Sequence, residues 1–178
     1  MKRIQPTGHE RTFGEDDIIV SKTDLNGKIT YANEVFLAVS GYTEDETIGA
    51  PHSLIRHPDM PRCVFKLAWD QIAAGKEIFA YVVNLAKNGD HYWVFAHITP
   101  TFDAGGKIIG YHSNRRTPDR GGVEIMSGLY ATLLAEEKKH PTKEEGMRAA
   151  GAILGKVLES KGMPYDELMF ALLGGQHG

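Results

Sequence analysis

Two imidazoles, a guanidinium and a carboxylate fall within PHSLIRHPDMPRCVF, Pro51–Phe65, as His52, Arg56, His57 and Asp59. Pro58 and Pro61 each bias the residue before them away from helix, so short turns hold these groups ahead of a helix starting near Met60. Polar groups set between two apolar segments are costly in a core unless something bound there satisfies them. Taken alone, the cluster also reads as a solvated helix cap with two surface histidines, because short motifs recur by chance. His52, His57 and Asp59 follow a turn, away from the i, i+4 spacing of a helical metal site, and no metal is expected. No Ser/His/Asp or Cys/His arrangement with supporting context, no HExxH and no Cys-rich spacing accompanies them, so no enzyme is expected.

The elements around this stretch follow from pattern. Ile18–Thr23 and Lys28–Ala32 read as a hairpin about the turn Asp24–Gly27. Asn33 stands where a helix carrying Val35, Phe36 and Val39 begins, and Asn caps helices well. Gly41 ends that helix, Thr43–Glu46 is a capping box, and Gly49 closes the short helix after it. The spacing of Val64, Phe65, Leu67, Ala68 and Ile72 predicts a helix over Met60–Ala74, stopped by Gly75. Glu77–Leu85 and His91–Thr101 are strands joined by the Asn-Gly of KNGD, and Lys107–Arg116 is a fifth strand. In His91–Thr101 the alternation sets Tyr92, Val94, Ala96 and Ile98 on one side, with Trp93, Phe95 and His97 on the other.

Residues 1–16 lack periodicity and read as a mobile arm or N-terminal cap. After Gly121-Gly122, expected to break the chain, Ile125, Met126, Leu129, Tyr130, Leu133 and Leu134 mark an amphipathic helix. Lys143–Lys161 and Tyr165–Leu173 follow as helices separated by Gly162–Pro164. The division expected is an arm over 1–16, a domain over 17–118 and a helical extension over 119–178, serving dimerisation, partner docking or plain coverage of apolar surface.

The 178 residues leave room for one ordinary domain with such an extension, and 42% apolar content supports a packed core. A net charge of −3 gives no electrostatic case for nucleic acid or an anionic membrane. The single cysteine, Cys63, makes no internal disulfide. No apolar run approaches the ~20 residues of a membrane helix, and a soluble, cytoplasmic chain is expected.

Read with Asn33, Gly41-Tyr42, Gly49 and Trp69, the runs RHPDMP (Arg56–Pro61) and KNGDHYW (Lys87–Trp93) resemble a PAS domain over Asp17–Arg116. More narrowly they resemble the flavin-binding PAS domain of bacterial aerotaxis receptors and, more distantly, the light-sensing LOV domains. The resemblance implies an α+β PAS fold: a five-stranded antiparallel sheet with helices across one face. It implies FAD, with FMN or haem as alternatives, and contacts from Asn33, His52, Arg56, His57, Asp59, Phe65, Trp69, Asn84, Val94, Ala96 and His112. Set against the LOV pattern, His52 occupies the place of the photoactive cysteine, which argues against adduct photochemistry. Arg56 stands at a flavin-contacting glutamine, Asn84 and Val94 at the asparagine pair holding the ring edge, and His112 at the glutamine beside flavin N5. The chain departs from the aerotaxis pattern at Ile78, where a tryptophan is expected. It departs also at Leu85-Ala86 and Phe95, where arginines are expected, and at His112, where a methionine is.

The expectation is a redox- or oxygen-responsive signalling module in which reduction alters hydrogen bonding at His112 and His52 and shifts the last strand. A homodimer and a chemotaxis or other signalling protein are the expected partners. The competing readings are a haem-binding gas sensor using His52, His57 or His112 as axial ligand, and a cofactor-free interaction module.

Overall fold

The computed structural model describes residues 4–174. Strands β1 (Ile19–Thr23), β2 (Ile29–Ala32), β3 (Ile78–Leu85), β4 (His91–Phe102) and β5 (Ile108–Arg116) form one antiparallel sheet in the order β2-β1-β5-β4-β3. Helices α1 (Glu34–Ser40) and α2 (Glu44–Thr47), the 3-10 turn His52–Ile55 and α3 (Arg62–Ala73) lie between β2 and β3 in sequence. Helices α4 (Arg120–Glu137), α5 (Lys143–Lys161) and α6 (Tyr165–Gly174) follow the sheet. The expected α+β class and five antiparallel strands are present. Contacts divide the chain into two units, taken in turn below: the chain up to His57 with Gln71–Thr117, and Pro58–Asp70 with the segment from Pro118 onward.

In the first unit, local signals set the boundaries. Gly41, at φ 75°, returns its N–H to the Leu37 carbonyl and ends α1 in the left-handed conformation that a side chain would strain. Thr43 and Glu46 cap α2 reciprocally. Asn33 does more than cap. Its Oδ1 accepts from Phe36 N at 2.9 Å and Val20 N at 3.0 Å, while Nδ2 donates to the Ile18 carbonyl at 2.8 Å. One amide thus joins the first turn of α1 to β1. The core cluster lies on one sheet face, where Ile19, Tyr92, Val94 and Ala96 meet Phe36 of α1 and Ile55 of the 3-10 turn.

The described part of residues 1–16 is a fixed cap, so the mobile alternative is corrected. Thr7 N donates to the Gly89 carbonyl at 2.8 Å, His91 N to the His9 carbonyl at 2.9 Å, and Arg11 N to the His91 carbonyl at 2.7 Å. Asp90 anchors the arm by accepting from Thr7 Oγ1 at 2.7 Å and Arg11 Nε at 3.1 Å. Gly89 lies so close beneath the Gln5 carbonyl that a Cβ would collide with it. These partners stand 79 to 83 residues away in sequence, which is why no local pattern reveals them.

In the second unit, Gly121-Gly122 does not break the chain. Both glycines sit in the first turn of α4, where the Asp119 carboxylate accepts from Gly122 N at 2.9 Å. A good cap offsets the low helix propensity of glycine. The buried face of α4 runs Val123, Met126, Tyr130, Leu133 and ends on Glu137, while Ile125, expected on that face, is exposed. Gly146 of α5 lies against the Glu137 backbone carbonyl with no room for a Cβ. The Glu137 side chain is buried as well, and its Oε1 accepts from Cys63 N at the start of α3 at 2.9 Å. Burial, and then the Glu137 carboxylate, push the Cys63 thiol up to about 12, so it is a packing group with no thiolate reactivity.

Asn33→Ala removes a cap and leaves Val20 N without its acceptor, at a cost of about 2 kcal/mol in urea denaturation. Asn33→Asp keeps Oδ1 and should lose less. Hydrogen bonds from Thr7 and then Asn88 hold the Asp90 carboxyl well below the usual carboxylate range. A depressed carboxylate stabilises above its unfolded value near 3.9 and stops doing so as pH falls through its folded value. The docking of the arm therefore weakens progressively as pH falls below about 4. Asp90→Asn should free it at neutral pH, seen as faster exchange of the Thr7 and Arg11 amide protons.

Candidate functional site

Strand pairing decides which side chains share a face. Asn84 lies directly opposite Tyr92, Val82 opposite Val94 and Ala80 opposite Ala96. Ala96 in turn opposes Arg115, Ile98 opposes Ser113, and on the other flank Ser21 opposes Ser113. Because side chains alternate with period two, Asn84, Tyr92, Val94, Ala96, Ser113, Arg115 and Ser21 all point to one side. Val94 and Ala96 form an apolar floor, each almost fully buried.

At one end of this floor sits a polar cluster. Arg115 Nη2 lies 2.8 Å from Ser21 Oγ and 2.7 Å from His52 Nε2, and Ser21 Oγ is 3.4 Å from the same ring nitrogen. A guanidinium has no lone pair to offer, so it donates to both. His52 Nε2 is therefore the acceptor nitrogen, and the ring proton resides on Nδ1. The backbone sets this up: His52 opens the 3-10 turn, and its N–H donates to the Gly27 carbonyl at 2.9 Å. His52 is half-buried overall, but its Nε2 faces the guanidinium. Burial and then the Arg115 charge depress its pKa to about 3. Burial likewise lowers Arg115 to about 10, which leaves it a cation at neutral pH. The guanidinium carbon also stands 5.8 Å from the centre of the Phe36 ring.

Buried polar atoms normally find partners. On this face Asn84 Nδ2, Tyr92 Oη, Ser113 Oγ and Arg115 Nη1 have none. Burial raises the Tyr92 phenol above its usual range, so it is a neutral donor. These donors share a sheet face with the apolar Val94 and Ala96 and match the chemistry of carbonyl and ring-nitrogen acceptors.

The expected site residues divide by place. His52, Asn84, Val94 and Ala96 share this region of the first unit. Arg56 joins them through its backbone, which bridges to Asn84. His57 is buried, its ring edge-on to His91 with centroids 5.9 Å apart. The amide of Asn33 is used on both sides by backbone. Asp59, Phe65 and Trp69 belong to the second unit, where Asp59 and Trp69 are exposed and Phe65 is half-buried. His112 is a correction. It pairs with Thr99 and Lys22, one residue out of phase with Ser113 and Arg115, so it faces away from Val94 and Ala96. There its Nε2 donates to Asn114 Oδ1 at 3.0 Å. His97 shares that far side as expected, stacked on Phe79 at 4.1 Å and bonded to Glu77 at 2.6 Å.

A family model described as the PAS fold matches residues 29–115. This segment is a PAS domain. The Escherichia coli aerotaxis receptor is 40% identical over 129 residues, covering 72% of this chain and 25% of the receptor. The chain thus spans about a quarter of that relative. Among solved structures, the light state of the blue-light photoreceptor Aureochrome1 LOV superposes with a TM-score of 0.54 at 21% identity, over 66% of this chain and 91% of that one. A light-oxygen-voltage domain studied with a flavin analogue gives 0.53 at 19% identity, over 69% and 87%. The PAS family is one of sensory signalling domains, and the fold seen here is theirs.

In this PAS domain the residues that sequence reading missed are Arg115 and Ser21, and Tyr92, placed on the correct face, was not singled out as a site residue. The signal was in β5, where Tyr111, Ser113 and Arg115 alternate in one phase. The pairing with β1 and β4, which only the fold reveals, selects that phase. The cluster has a spectroscopic signature. His52 should not titrate between pH 5 and 8, and nitrogen NMR should show Nε2 as the unprotonated nitrogen throughout. A histidine whose folded pKa is depressed stabilises fully above its unfolded value near 6.5, and loses that contribution as pH falls toward about 3. His52→Phe should therefore flatten the part of the acid-unfolding profile below pH 6.

Proposed function

We propose that this PAS domain binds a flavin against the face carrying Asn84, Val94, Ala96 and Arg115, and serves as a redox- or oxygen-responsive signalling module. The observation that carries the reading is the set of unpartnered buried donors on the sheet face of Val94 and Ala96: Asn84 Nδ2, Arg115 Nη1 and Tyr92 Oη. The likeness to an aerotaxis receptor, and to a light-oxygen-voltage domain examined with a flavin analogue, supports it. Nothing in these donors selects FAD over FMN, since both carry the same ring.

A bound flavin supplies reversible oxidation and reduction. The chain's own residues do the rest. Asn84 and Arg115 donate to acceptors on the ring edge, and Val94 and Ala96 give its face a dry surface. Ser21 and His52 hold the guanidinium in one orientation. His52 spends its Nε2 lone pair on Arg115, which removes it as an axial ligand for haem through that nitrogen. Arg115 stands one residue before the end of β5, and Thr117–Asp119 connect that strand to α4. Altered hydrogen bonding at Arg115 is thus delivered to the strand end from which the C-terminal helices continue, toward those helices or a partner that reads them. Among the described residues no helix is long and apolar enough to cross a membrane.

The test is the absorption spectrum of the purified protein with and without added FAD or FMN. A two-banded flavin spectrum that bleaches with dithionite and returns in air is expected. Protein that stays colourless and takes up neither flavin sinks the reading. Asn84→Leu, which deletes an unpartnered buried donor at similar volume, should weaken flavin retention about tenfold, the equivalent of one hydrogen bond of roughly 1.4 kcal/mol. The thermal midpoint of the flavin-free protein should stay level or rise.

A further inference from the structure

Arg115 is a buried cation without a counter-ion. The residue is 3% exposed, and among the described residues no carboxylate pairs with it. Its partners are neutral: Ser21 Oγ, the lone pair of His52 Nε2, and the face of the Phe36 ring. Tyr92 contributes a phenol that burial keeps protonated. Moving a charge out of water to such a place is unfavourable unless an opposite charge arrives. Two acceptors fix Nη2, which leaves Nη1 directed without a partner. A ligand that brings negative charge here recovers what the folded chain gives up.

We propose that Arg115 is the counter-charge for a flavin that becomes anionic on reduction, so that the site binds reduced flavin more tightly than oxidised flavin. This rests on the flavin reading above. Two electrons and one proton added to the neutral ring leave it with one negative charge. The electrons come from an external low-potential reductant, dithionite in the test, and the proton from solvent. A fixed cation in a poorly screened site attracts that product more than the neutral oxidised ring. By linkage the same preference raises the potential of the bound couple. Ser21 and His52 are positioning residues. They take two of the guanidinium's hydrogen bonds without adding charge, so the site offers one positive charge in one direction.

The measurement is a pair of dissociation constants for FMN and for FAD, oxidised and dithionite-reduced under anaerobic conditions, together with the midpoint potential of the bound couple. Wild-type protein should favour the reduced form at least tenfold, which for a two-electron couple is a rise of about 30 mV over free flavin. Arg115→Gln keeps donors and loses the charge. It should bring the ratio close to one, with reduced-flavin affinity falling about tenfold more than oxidised-flavin affinity. Arg115→Lys should keep most of the preference. Should the glutamine variant fail to fold, Arg115→Met replaces the buried charge by an apolar chain and gives the same comparison. An unchanged ratio without the charge overturns the inference, and so does equal loss of both forms. If wild-type protein binds flavin in neither state, the flavin reading itself has failed, an outcome distinct from both.

Discussion

A positive charge is kept out of water in this sheet by neutral neighbours alone. The Arg115 guanidinium reaches from β5 to Ser21 on β1 and to His52 on the 3-10 turn, and lies near the ring of Phe36 on α1. Elements brought together from distant parts of the sequence therefore share one hydrogen-bonding centre. The need to satisfy it explains details that otherwise look unrelated. His52 stays neutral because burial, and then the cation on its lone pair, disfavour its charged form, and its proton is confined to Nδ1. Ser21 is a serine on an inward-facing position of a strand whose neighbour, Ile19, is apolar. The unfilled donors lie on the same face as this centre.

What was legible in the sequence is what local chemistry decides. Asn33, Gly41, the Thr43–Glu46 box and the Asn-Gly of the β3–β4 turn work through residues a few positions away, and each stands where its pattern puts it. The inward side of β4 was legible too, since Tyr92, Val94 and Ala96 alternate with half-buried neighbours. The phase of β5 was not. Tyr111, His112, Ser113, Asn114 and Arg115 offer plausible polar groups on both sides, and a one-residue slip exchanges the two faces. Pairing with β1 and β4 resolves it in favour of Arg115. The docked N-terminal arm and the helical Gly121-Gly122 were hidden for a related reason, because a distant hairpin holds the first and a preceding aspartate rescues the second.

The departures from the aerotaxis pattern also find a physical setting. Ile78, Leu85 and Ala86 are all buried, so apolar packing occupies places where the pattern has a tryptophan and arginines. Phe95 lies on the sheet face opposite Val94, stacked near Phe79 and edge-on to Tyr81. None of these substitutions interrupts the row formed by Asn84, Tyr92, Ser113 and Arg115. The chain has exchanged polar groups for packing elsewhere while keeping a polar inner face.

The carboxylate of Glu137 has a consequence for where this protein divides. It closes the start of α3, a helix that lies inside the PAS stretch of the sequence, although Glu137 itself comes more than twenty residues after the last strand. The start of α3 therefore draws one of its backbone partners from the tail. A chain ending after β5 would retain α3 but leave Cys63 N in its first turn without the Glu137 acceptor. Keeping that bond requires moving α3 and Glu137 together. Inheritance by domain shuffling would be constrained in the same way: the unit that travels is longer than the fold that names it.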